Sequence, residues 1–441
     1  MAGDELFDEL PEQLAPRAPE GVARLRHPVR DQLEFRSVDL DSLLPSAHRA
    51  RVIWAYVEKL DLSGLYEPIK AREGRPGHPP IDPRLMLALW LYATSEGVGS
   101  ARALARLCES QDAYRWLCGG VSVNYHTLAD FRVAHPELLD RLLAENVAAL
   151  AEAGLIDFNM LAQDGLRVRA SAGSGSFGRR HRLERRLNQA RELLEQLKRE
   201  VDDDADASNR RIKAARERAA REAAGRAQAA LANLAEIEAE RKRREKKHGK
   251  DKGKKEPRAS TSDPEARVMK MPDGGFRPAY NMQIVTAVEQ QVIVAADATA
   301  CGSDGGLIRP MVEELRRNGI KPPCYLADGG FAKTDDVEWM AAQEIVLYCP
   351  PPNCKQGIDP CAPRADDGPG AAAWRRRMKS EAGQAVYKRR VEHECVNAHA
   401  RRCGLHQLTV RGLAKAKAVL RWFALAHNIL AGSRLAAAAA A

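Results

Sequence analysis

The sequence predicts an α/β protein in which a mixed sheet flanked by helices follows an all-α N-terminal domain. Three observations predict this fold class. Apolar residues recur at helical spacing over residues 46–153, and after Gly154 short apolar runs alternate with amphipathic helical segments. A basic segment with a heptad pattern, residues 178–260, interrupts the second region.

The overall composition is that of a globular protein with one strongly charged segment. The chain has 441 residues, of which 44% are hydrophobic, and a net charge of +9. Residues 179–258 contain 26 Lys and Arg against 16 Asp and Glu, a net +10, so the remainder carries −1. No apolar run reaches the roughly 18 residues of a membrane span, and nine cysteines in this length do not indicate a disulfide framework. We therefore expect a cytoplasmic protein without a membrane partner, whose basic segment either meets phosphates or forms a solvated helical face.

The N-terminal part is predicted to contain an arm and a helical domain. Residues 1–45 hold several prolines and little periodicity, which favours a flexible arm. Within 46–153, Asp82 and Pro83 form a cap and first-turn pair, and Ser100 is an N-cap candidate. Short helices joined by short turns are typical of DNA-binding domains, although small helical domains have many other uses.

The region 154–433 predicts a sheet with flanking helices. One strand is expected to end at Asp164, two β runs meet in a hairpin turn around Glu289 and Gln290, and a short strand ends at Asp328. Helical segments separate and follow the later strands. The resulting order of elements, β, β, β, α, β, α, β, α, is that of a mixed sheet covered by helices.

The basic insertion, 178–260, is predicted to be an antiparallel helical hairpin. Two apolar seams with alternating spacings of four and three flank the polar break at 202–209. The basic stretch 241–260 after the second seam is expected to be a disordered linker, and the alanine-rich end, 434–441, a disordered tail. The seams consist of Leu183, Leu187, Ala190, Leu194, Leu197 and Val201, and of Ala220, Ala224, Ala227, Leu231 and Leu234.

A helical stretch near the C-terminus carries one carboxylate among cations. At about 100° per residue, Tyr387, Arg390, Glu394 and Arg401 fall on one narrow face. An exposed ion pair between Arg390 and Glu394, worth a few tenths of a kcal/mol, would explain part of this pattern. The two predicted strand ends weaken that explanation, because they supply further carboxylates that the same face could meet.

Carboxylates gathered from neighbouring strand ends require a counter-ion. If Asp164 and Asp328 lie side by side they repel each other, and Mg²⁺ is the cation that oxygen ligands favour. Two such ions, about 3.5–4 Å apart, can activate a water or a 3′-hydroxyl and stabilise the leaving oxygen in phosphodiester exchange. A metal-dependent reaction on nucleic acid is therefore predicted.

These residues resemble a family pattern. Tyr387, Arg390 and Glu394 match the Tyr, two residues, Arg, three residues, Glu, six residues, Lys motif of bacterial insertion-sequence transposases of the DDE type, with Arg401 at the Lys position. The stretches "DPEARVMK", "AYNMQ", "YLADGGF" and "VRGLAKAKAVLRWFALAHN" are also similar to this family. The segment "IDPRLMLALWLYATSEGVGSARALARLC" resembles its helical N-terminal domain.

The resemblance implies a fold and a site. It implies an RNase H-like catalytic domain over 154–433 that cleaves DNA at the ends of an insertion sequence and joins them to target DNA. The implied cofactor is Mg²⁺, as two ions, with Mn²⁺ as a substitute. The implied catalytic and metal-binding triad is Asp164, Asp328 and Glu394, and the implied DNA-contacting residues are Tyr387, Arg390 and Arg401.

The family also implies partners, and it leaves alternatives. The expected partners are terminal inverted repeats and target DNA, bound by a homodimer on paired ends in the nucleoid. A relative that only binds DNA and an RNase H-like nuclease without strand transfer are the alternatives. The interval 350–373 is short and Pro-rich, which argues against the β-rich, Trp-bearing insertion of some relatives that stacks on a flipped base.

Other side chains are candidates for lesser roles. Asp297 and Asp157 flank apolar runs and could support the carboxylate cluster, although a strand terminator is the simpler interpretation. A zinc site is a further alternative, although the common Cys-x-x-Cys pairs are missing. Its candidate ligands are Cys395, His399, Cys403, Cys349, Cys354 and Cys361.

Overall fold

In the computed structural model, the helices and strands described below all lie within Leu40–Ala441. Most of the predicted flexible arm, residues 1–38, lies outside the described residues, and a short 3-10 helix at Asp41–Leu43 is the first element within them. The structure describes residues 39–72, 74, 79–199, 207–248, 256–353 and 359–441.

The N-terminal region is helical, as predicted. Asp82 accepts a hydrogen bond from the backbone N–H of Arg84 at 2.8 Å, and Ser100 accepts one from Ala103 at 3.3 Å, so both are the helix caps that the sequence indicates. The helices are α1 (Arg49–Glu58), α2 (Ser63–Tyr66), α3 (Pro83–Ser95), α4 (Ala101–Ser110), α5 (Asp112–Cys118), α6 (Tyr125–Ala134) and α7 (Pro136–Glu152).

The second region contains a mixed sheet. Its strand order is β4-β5-β1-β7-β8, with β6 also paired to β5. Strands β1, β7 and β8 are parallel neighbours, whereas β5 is antiparallel to β1, β4 and β6. The strands are β1 (Met160–Arg169), β4 (Arg267–Lys270), β5 (Phe276–Ala287), β6 (Val292–Thr299), β7 (Cys324–Ala327) and β8 (Val346–Tyr348), with the small pair β2 (Phe177–Gly178) and β3 (Ala259–Ser260) outside this sheet.

The strand that carries Asp164 is longer than predicted. The sequence indicated a strand ending at Asp164, but β1 runs from Met160 to Arg169 and Asp164 lies in its middle. Pairing with the long strand β5 extends over Leu161–Arg169 and keeps the chain extended past the aspartate. The predicted hairpin turn is confirmed, because a turn over residues 288–291 joins β5 to β6.

The remaining helices cover the sheet and connect it to the N-terminal region. Residues Ala416, Leu420 and Phe423 of α15 pack into the sheet core, whereas Trp422 and Leu425 pack into the N-terminal helical core. The helices are α10 (Ile308–Arg317), α11 (Thr334–Ala342), α12 (Pro369–Lys379), α13 (Glu381–Lys388), α14 (Val391–Arg402) and α15 (Leu413–Ala439).

Two predicted disordered segments are partly helical. Helix α15 continues to Ala439 through the run expected to be a tail, since alanine has the highest helix propensity. Similarly, α9 continues to His248, so the first part of the predicted linker, 241–260, is helical, while 249–255 lie outside the described residues.

The basic insertion contains two helices, α8 (Arg180–Arg199) and α9 (Ala207–His248). Arg180, at the start of α8, forms an ion pair of 2.7 Å with Glu238, and Leu183 packs against Leu234. These contacts join the beginning of α8 to the later part of α9, so the two helices are antiparallel. Among the heptad positions, Val201 lies outside the described residues.

One predicted helix is divided. The stretch from Tyr387 to Arg401 was expected to be continuous, but α13 ends at Lys388 and α14 begins at Val391. Arg390 donates its N–H to Tyr387 O at 3.0 Å, an i to i−3 bond that tightens the turn between the helices. In the part of the chain that the structure describes, no helix is long and apolar enough to cross a membrane.

Candidate active site

The two aspartates predicted at strand ends occupy matching positions on neighbouring strands. Strands β1 and β7 are parallel, and Gln163 pairs with Ala327 at the end of their shared register. The next residue in each chain segment is an aspartate, Asp164 and Asp328. Adjacent strands lie about 4.8 Å apart, so this register brings the two residues to the same edge of the β1–β7 pair.

Asp164 is mostly buried and held by several donors. Its Oδ1 accepts a hydrogen bond from Gly165 N at 2.8 Å, and its Oδ2 accepts one from Asn397 Nδ2 at 2.9 Å. Burial raises the pKa of the Asp164 carboxyl above its ordinary value. The Gly165 N–H and Arg390 oppose this rise, whereas Asp328 and Asp304 add to it. The carboxylate is thus fixed in position beside other negative charges.

Asp328 is exposed and has a local role in the backbone. It caps the short 3-10 helix Gly329–Phe331 and accepts a hydrogen bond from Gly329 N at 2.6 Å. Its other oxygen, Oδ2, faces Gly330, where a Cβ atom would lie 3.9 Å from it. Solvent therefore reaches Asp328 more easily than Asp164.

Glu394 reaches the site through a guanidinium group. Arg390 lies between two carboxylates, with Nη2 at 3.1 Å from Glu394 Oε1 and Nη1 at 3.5 Å from Asp164 Oδ2. The Glu394 side chain is 56% exposed, whereas that of Arg390 is 16% exposed. The i,i+4 ion pair considered from the sequence exists, and the same arginine also connects Glu394 to Asp164.

The residues flanking this pair differ in their contacts. Tyr387 lies on α13, and its ring centroid is 6.0 Å from the Arg390 guanidinium carbon. The tight turn explains this contact, since side chains at i and i+3 eclipse in 3-10 geometry. Arg401 is exposed in the last turn of α14, and its side chain forms no hydrogen bond or ion pair with the described residues. The structure thus brings Tyr387, Arg390 and Glu394 together and leaves Arg401 apart from them.

Asp304 is a fourth carboxylate near this site, which the sequence analysis missed. It follows β6 in the "CGSDGG" loop, and a Cβ atom at Gly165 would lie only 2.5 Å from its Oδ1. A Cβ atom at Gly330 would lie 3.8 Å from Asp304 Oδ2, so the carboxylates of Asp304 and Asp328 both lie close to Gly330. Because Gly165 has no Cβ atom, the Asp304 carboxylate can lie this close to β1.

A buried polar network holds Asp304. Its Oδ1 accepts hydrogen bonds from Asn281 at 2.6 Å and from Gln283 at 3.3 Å, and its Oδ2 pairs with Arg167 at 2.9 Å. Gln163 extends the network by a bond of 2.7 Å to Gln283. Polar residues inside the otherwise apolar run "AYNMQIVTA" were the sequence signal for this network, because buried amides require partners.

Asn397 is a second residue that the sequence analysis did not assign. It donates to Asp164, and its own Oδ1 is buried without a partner among the described residues. Its position three residues after Glu394 puts both on adjacent turns of α14. An unpaired buried oxygen is unfavourable, and here it lies beside a carboxylate that carries a raised pKa.

The oxygen atoms near Asp164 are ligands of the kind that a hard divalent cation prefers, although the described side chains do not surround one common metal position. Asp164, Asp328, Glu394 and the unpaired Asn397 Oδ1 are oxygen donors of the kind that Mg²⁺ and Mn²⁺ bind. Within the described ranges, no group of three or more His, Cys, Asp or Glu side chains converges on a metal position. Arg390 supplies the positive charge between Asp164 and Glu394. The residues therefore fit the ion in chemistry, with the arginine as its competitor.

Asp297 and Asp157 lie in other contacts. Asp297 forms an ion pair with Lys417 at 2.7 Å, in a cavity formed with α7, α10 and α15. Asp157 accepts hydrogen bonds from Asn159 N at 2.9 Å and from Gln290 at 2.8 Å. Neither contact involves the Asp164 cluster.

The candidate zinc ligands do not converge in the described part of the chain. The His399 Nε2 lies 3.3 Å from Cys403 Sγ, and its Nδ1 lies 2.9 Å from His427, so these groups form a chain of contacts. Cys395 is exposed, and the thiol of Cys349 donates to Asp328 O at 3.0 Å. Cys354 lies outside the described residues.

Two protein families match the chain. Residues 38–134 match the family "Transposase domain (DUF772)", and residues 246–429 match the family "Transposase DDE domain". Asp328 and Glu394 lie within the second match, whereas Asp164 precedes it, separated by the basic insertion. No curated protein and no solved structure matches the chain. The two family matches confirm the resemblance seen in the sequence, and the chain belongs to the DDE-type transposases of insertion sequences.

Proposed function

We propose that this transposase cleaves DNA at insertion-sequence ends and transfers the strands to target DNA, in a reaction that depends on divalent metal. The observation that carries the proposal is the matching position of Asp164 and Asp328 on parallel strands, with Glu394 connected to Asp164 by Arg390. We assign the mixed sheet and its helices to an RNase H-like catalytic core.

Asp164, Asp328 and Glu394 would hold Mg²⁺ or Mn²⁺. Bound as a pair, such ions activate a water or a 3′-hydroxyl and stabilise the leaving oxygen. The chain's own contribution is orientation: Gly165 N and Asn397 Nδ2 each fix one oxygen of the Asp164 carboxylate. Asp304, held by Arg167 and Asn281, adds negative charge beside them and thereby strengthens the attraction for cations.

The cations on α13 and α14 would bind the DNA backbone next to the reacting phosphate. Arg390 presents a planar guanidinium that binds phosphate oxygens by two parallel bonds. Tyr387 packs on it and limits its freedom, and Arg401, exposed two turns beyond Glu394, would contact the strand further along.

The basic hairpin and the N-terminal helices would hold the DNA outside the catalytic core. Helices α8 and α9 carry basic residues on their exposed faces, including Arg182, Arg185 and Arg218, and such surfaces bind DNA by phosphate neutralisation. Two copies of the chain on paired ends, in the nucleoid, would position both terminal inverted repeats for joining to one target.

The test is cleavage of DNA that carries the terminal inverted repeats. The purified protein is expected to nick this DNA with Mg²⁺ and not with EDTA, and Asp164→Ala is expected to abolish nicking while retaining binding. Equal nicking by Asp164→Ala would remove the proposed mechanism. A precut end incubated with target DNA then separates a transposase, which joins the strands, from a nuclease, which does not.

A further inference from the structure

A cavity of about 480 Å³ lies between the N-terminal helices and the segment 403–409. Helix α4 contributes its N-cap Ser100, α6 contributes Arg132, and the later segment contributes His406, Gln407 and Thr409. The described residues that line the cavity include hydroxyl, amide, imidazole and guanidinium groups and no Asp or Glu. These polar groups, which lie among apolar side chains such as Val419 and Phe423, favour a ligand with negative charge.

Arg132 lines the cavity, and no carboxylate among the described residues neutralises its charge. The residue is 7% exposed, and no carboxylate lies within ion-pair distance of it among the described residues. Its Nη1 donates to Gly99 O at 2.5 Å and to Thr409 Oγ1 at 3.1 Å, whereas its Nε is buried without a partner. The guanidinium also lies 4.6 Å from the centroid of the Trp90 ring, but no anion balances its charge among the described residues, so an anion in contact with it would be stabilised.

The start of α4 adds to this positive potential. Ser100 is the N-cap of this ten-residue helix and accepts a hydrogen bond from Ala103 N. The other first-turn N–H groups have no intrahelical acceptor. The helix dipole places partial positive charge at the same end. His406, Gln407 and Thr409 are exposed at the rim, so an anion has access to the cavity from solvent.

We propose that this cavity binds a phosphate group, between the Arg132 guanidinium and the N-terminus of α4. The chemistry is that of a phosphate oxyanion, and a backbone phosphate of bound DNA is its source, a point that rests on the proposed function. The segment is attached to β1, because Arg169 N donates to His406 O at 3.1 Å and Leu408 N donates to Arg169 O at 2.8 Å. A phosphate here would therefore set the position of DNA relative to the strand that carries Asp164.

The first experiment uses inorganic phosphate and the full-length protein. The Tm of the wild type is expected to rise by several degrees in about 10 mM phosphate relative to sodium chloride of equal ionic strength, since a ligand of the native state stabilises it. Arg132→Gln should lose most of this rise. Arg102→Gln, which removes an exposed charge from the same helix start outside the cavity, should retain it. No rise in the wild type, or an equal rise in Arg132→Gln, overturns the proposal.

A rim variant keeps the test valid if Arg132→Gln does not fold. His406→Ala combined with Gln407→Ala changes exposed side chains and keeps the Thr409 hydroxyl that binds Arg132, so its Tm without phosphate should stay near that of the wild type while its phosphate response falls. An unchanged response in this variant would also overturn the proposal. Asp164→Ala should keep the full response, which separates this site from the proposed cleavage reaction.

The second experiment identifies the source of the phosphate. If DNA supplies it, Arg132→Gln should lower the slope of log K against log salt for DNA binding by about one, as loss of one phosphate contact does. Free phosphate should compete with DNA in the wild type more strongly than in the variant. An unchanged slope with an intact phosphate response assigns the cavity to a free anion and overturns the DNA source.

Discussion

Asp164 and Asp328 each follow the last paired residues of two parallel strands, so the sheet register alone places them side by side. Their surroundings differ, because Asp164 is mostly buried with donors on both carboxylate oxygens, whereas the Asp328 carboxylate is exposed and accepts only from Gly329 N among the described residues. A change at Asp328 should consequently affect the reaction without affecting the fold.

We expect Asp328→Asn to lower the rate of Mg²⁺-dependent cleavage by roughly 10³-fold or more, which is the scale of losing a group that acts with others in a catalytic unit. The Tm should stay within about 2 °C of the wild type, since asparagine also accepts the Gly329 N–H. Asp335→Asn, an exposed helix-start aspartate nearby in sequence, is the matched control and should cleave normally. Single-turnover cleavage and thermal melts measure both, and normal cleavage by Asp328→Asn would exclude it from the site.

Arg390 should compete with metal ions for the same carboxylates. Without metal, Arg390→Gln leaves Asp164 and Glu394 without their cation, and we expect a loss of about 1–2 kcal/mol in the free energy of unfolding in EDTA. Added Mg²⁺ should restore more stability in the variant than in the wild type. Urea unfolding with EDTA and with Mg²⁺ measures this difference.

Arg389→Gln is the control for Arg390. Arg389 pairs with Glu289 at 2.9 Å on the surface, so its loss should change stability by no more than about 0.5 kcal/mol, with no added effect of Mg²⁺. If the two variants respond alike to Mg²⁺, Arg390 does not share its carboxylates with metal.

Asp304 should matter for cleavage although it was absent from the sequence-based site. Asp304→Asn removes the charge that pairs with Arg167, and we expect a loss of about 1–3 kcal/mol and a cleavage rate at least roughly tenfold lower. Asp297→Asn, which removes the pair with Lys417 in a different cavity, should leave the cleavage rate unchanged. Equal rates in the two variants would show that Asp304 has no role in the reaction.

The sequence predicted the candidate-site residues better where they belong to a local motif than where their position depends on pairing between distant strands. Glu394 and Arg390 could be identified because a fixed spacing on a helix puts them in contact, as the structure shows. Asp164 could be named but not placed, because its strand continues only through pairing with β5, which is distant in sequence. The break between α13 and α14 was missed for a similar reason, since no Pro or Gly interrupts that stretch.

Asp304 and Asn397 could not be predicted from local pattern. A loop aspartate between glycines reads as a turn, and only the close approach of Gly165 to Asp304 shows its position in the site. Asn397 occupies an ordinary helix position, and its contact with Asp164 depends on how α14 packs on β1. Side chains that act through packing of distant segments carry no periodic signal.

The helical hairpin should contribute to DNA binding in proportion to its exposed cations. Arg182 and Arg185 are exposed on α8, and replacing both with Gln should lower the salt slope of DNA binding by about two if each meets one phosphate. The double variant Lys321→Gln with Lys379→Gln removes the same charge elsewhere and should leave the slope unchanged. Fluorescence anisotropy over a range of salt concentrations measures the slopes, and similar slopes in both variants would assign the hairpin to another role.

Glu314 on α10 should make the stability of the protein depend on pH. Burial, together with the carboxylates of Asp297 and Asp140 that line the same cavity, raises the pKa of Glu314 to about 7, against the opposing effect of Arg421 and Arg317. Below the ordinary glutamate pKa of about 4.3 the group is protonated in both the folded and unfolded states. As pH rises towards 7 the unfolded chain loses its proton first, so the folded state becomes less stable until Glu314 also ionises.

Glu314→Gln removes this ionisation and should therefore show no such decline. We expect the variant and the wild type to be equally stable near pH 4.5, and the variant to be more stable by roughly 1–3 kcal/mol at pH 8, with the difference growing between these values. Glu313→Gln, which changes an exposed neighbour that pairs with Arg309 at 3.3 Å, is the matched control. Urea midpoints at several pH values measure both, and a flat difference for Glu314→Gln would show that the Glu314 carboxylate ionises in the folded protein as it does in the unfolded chain.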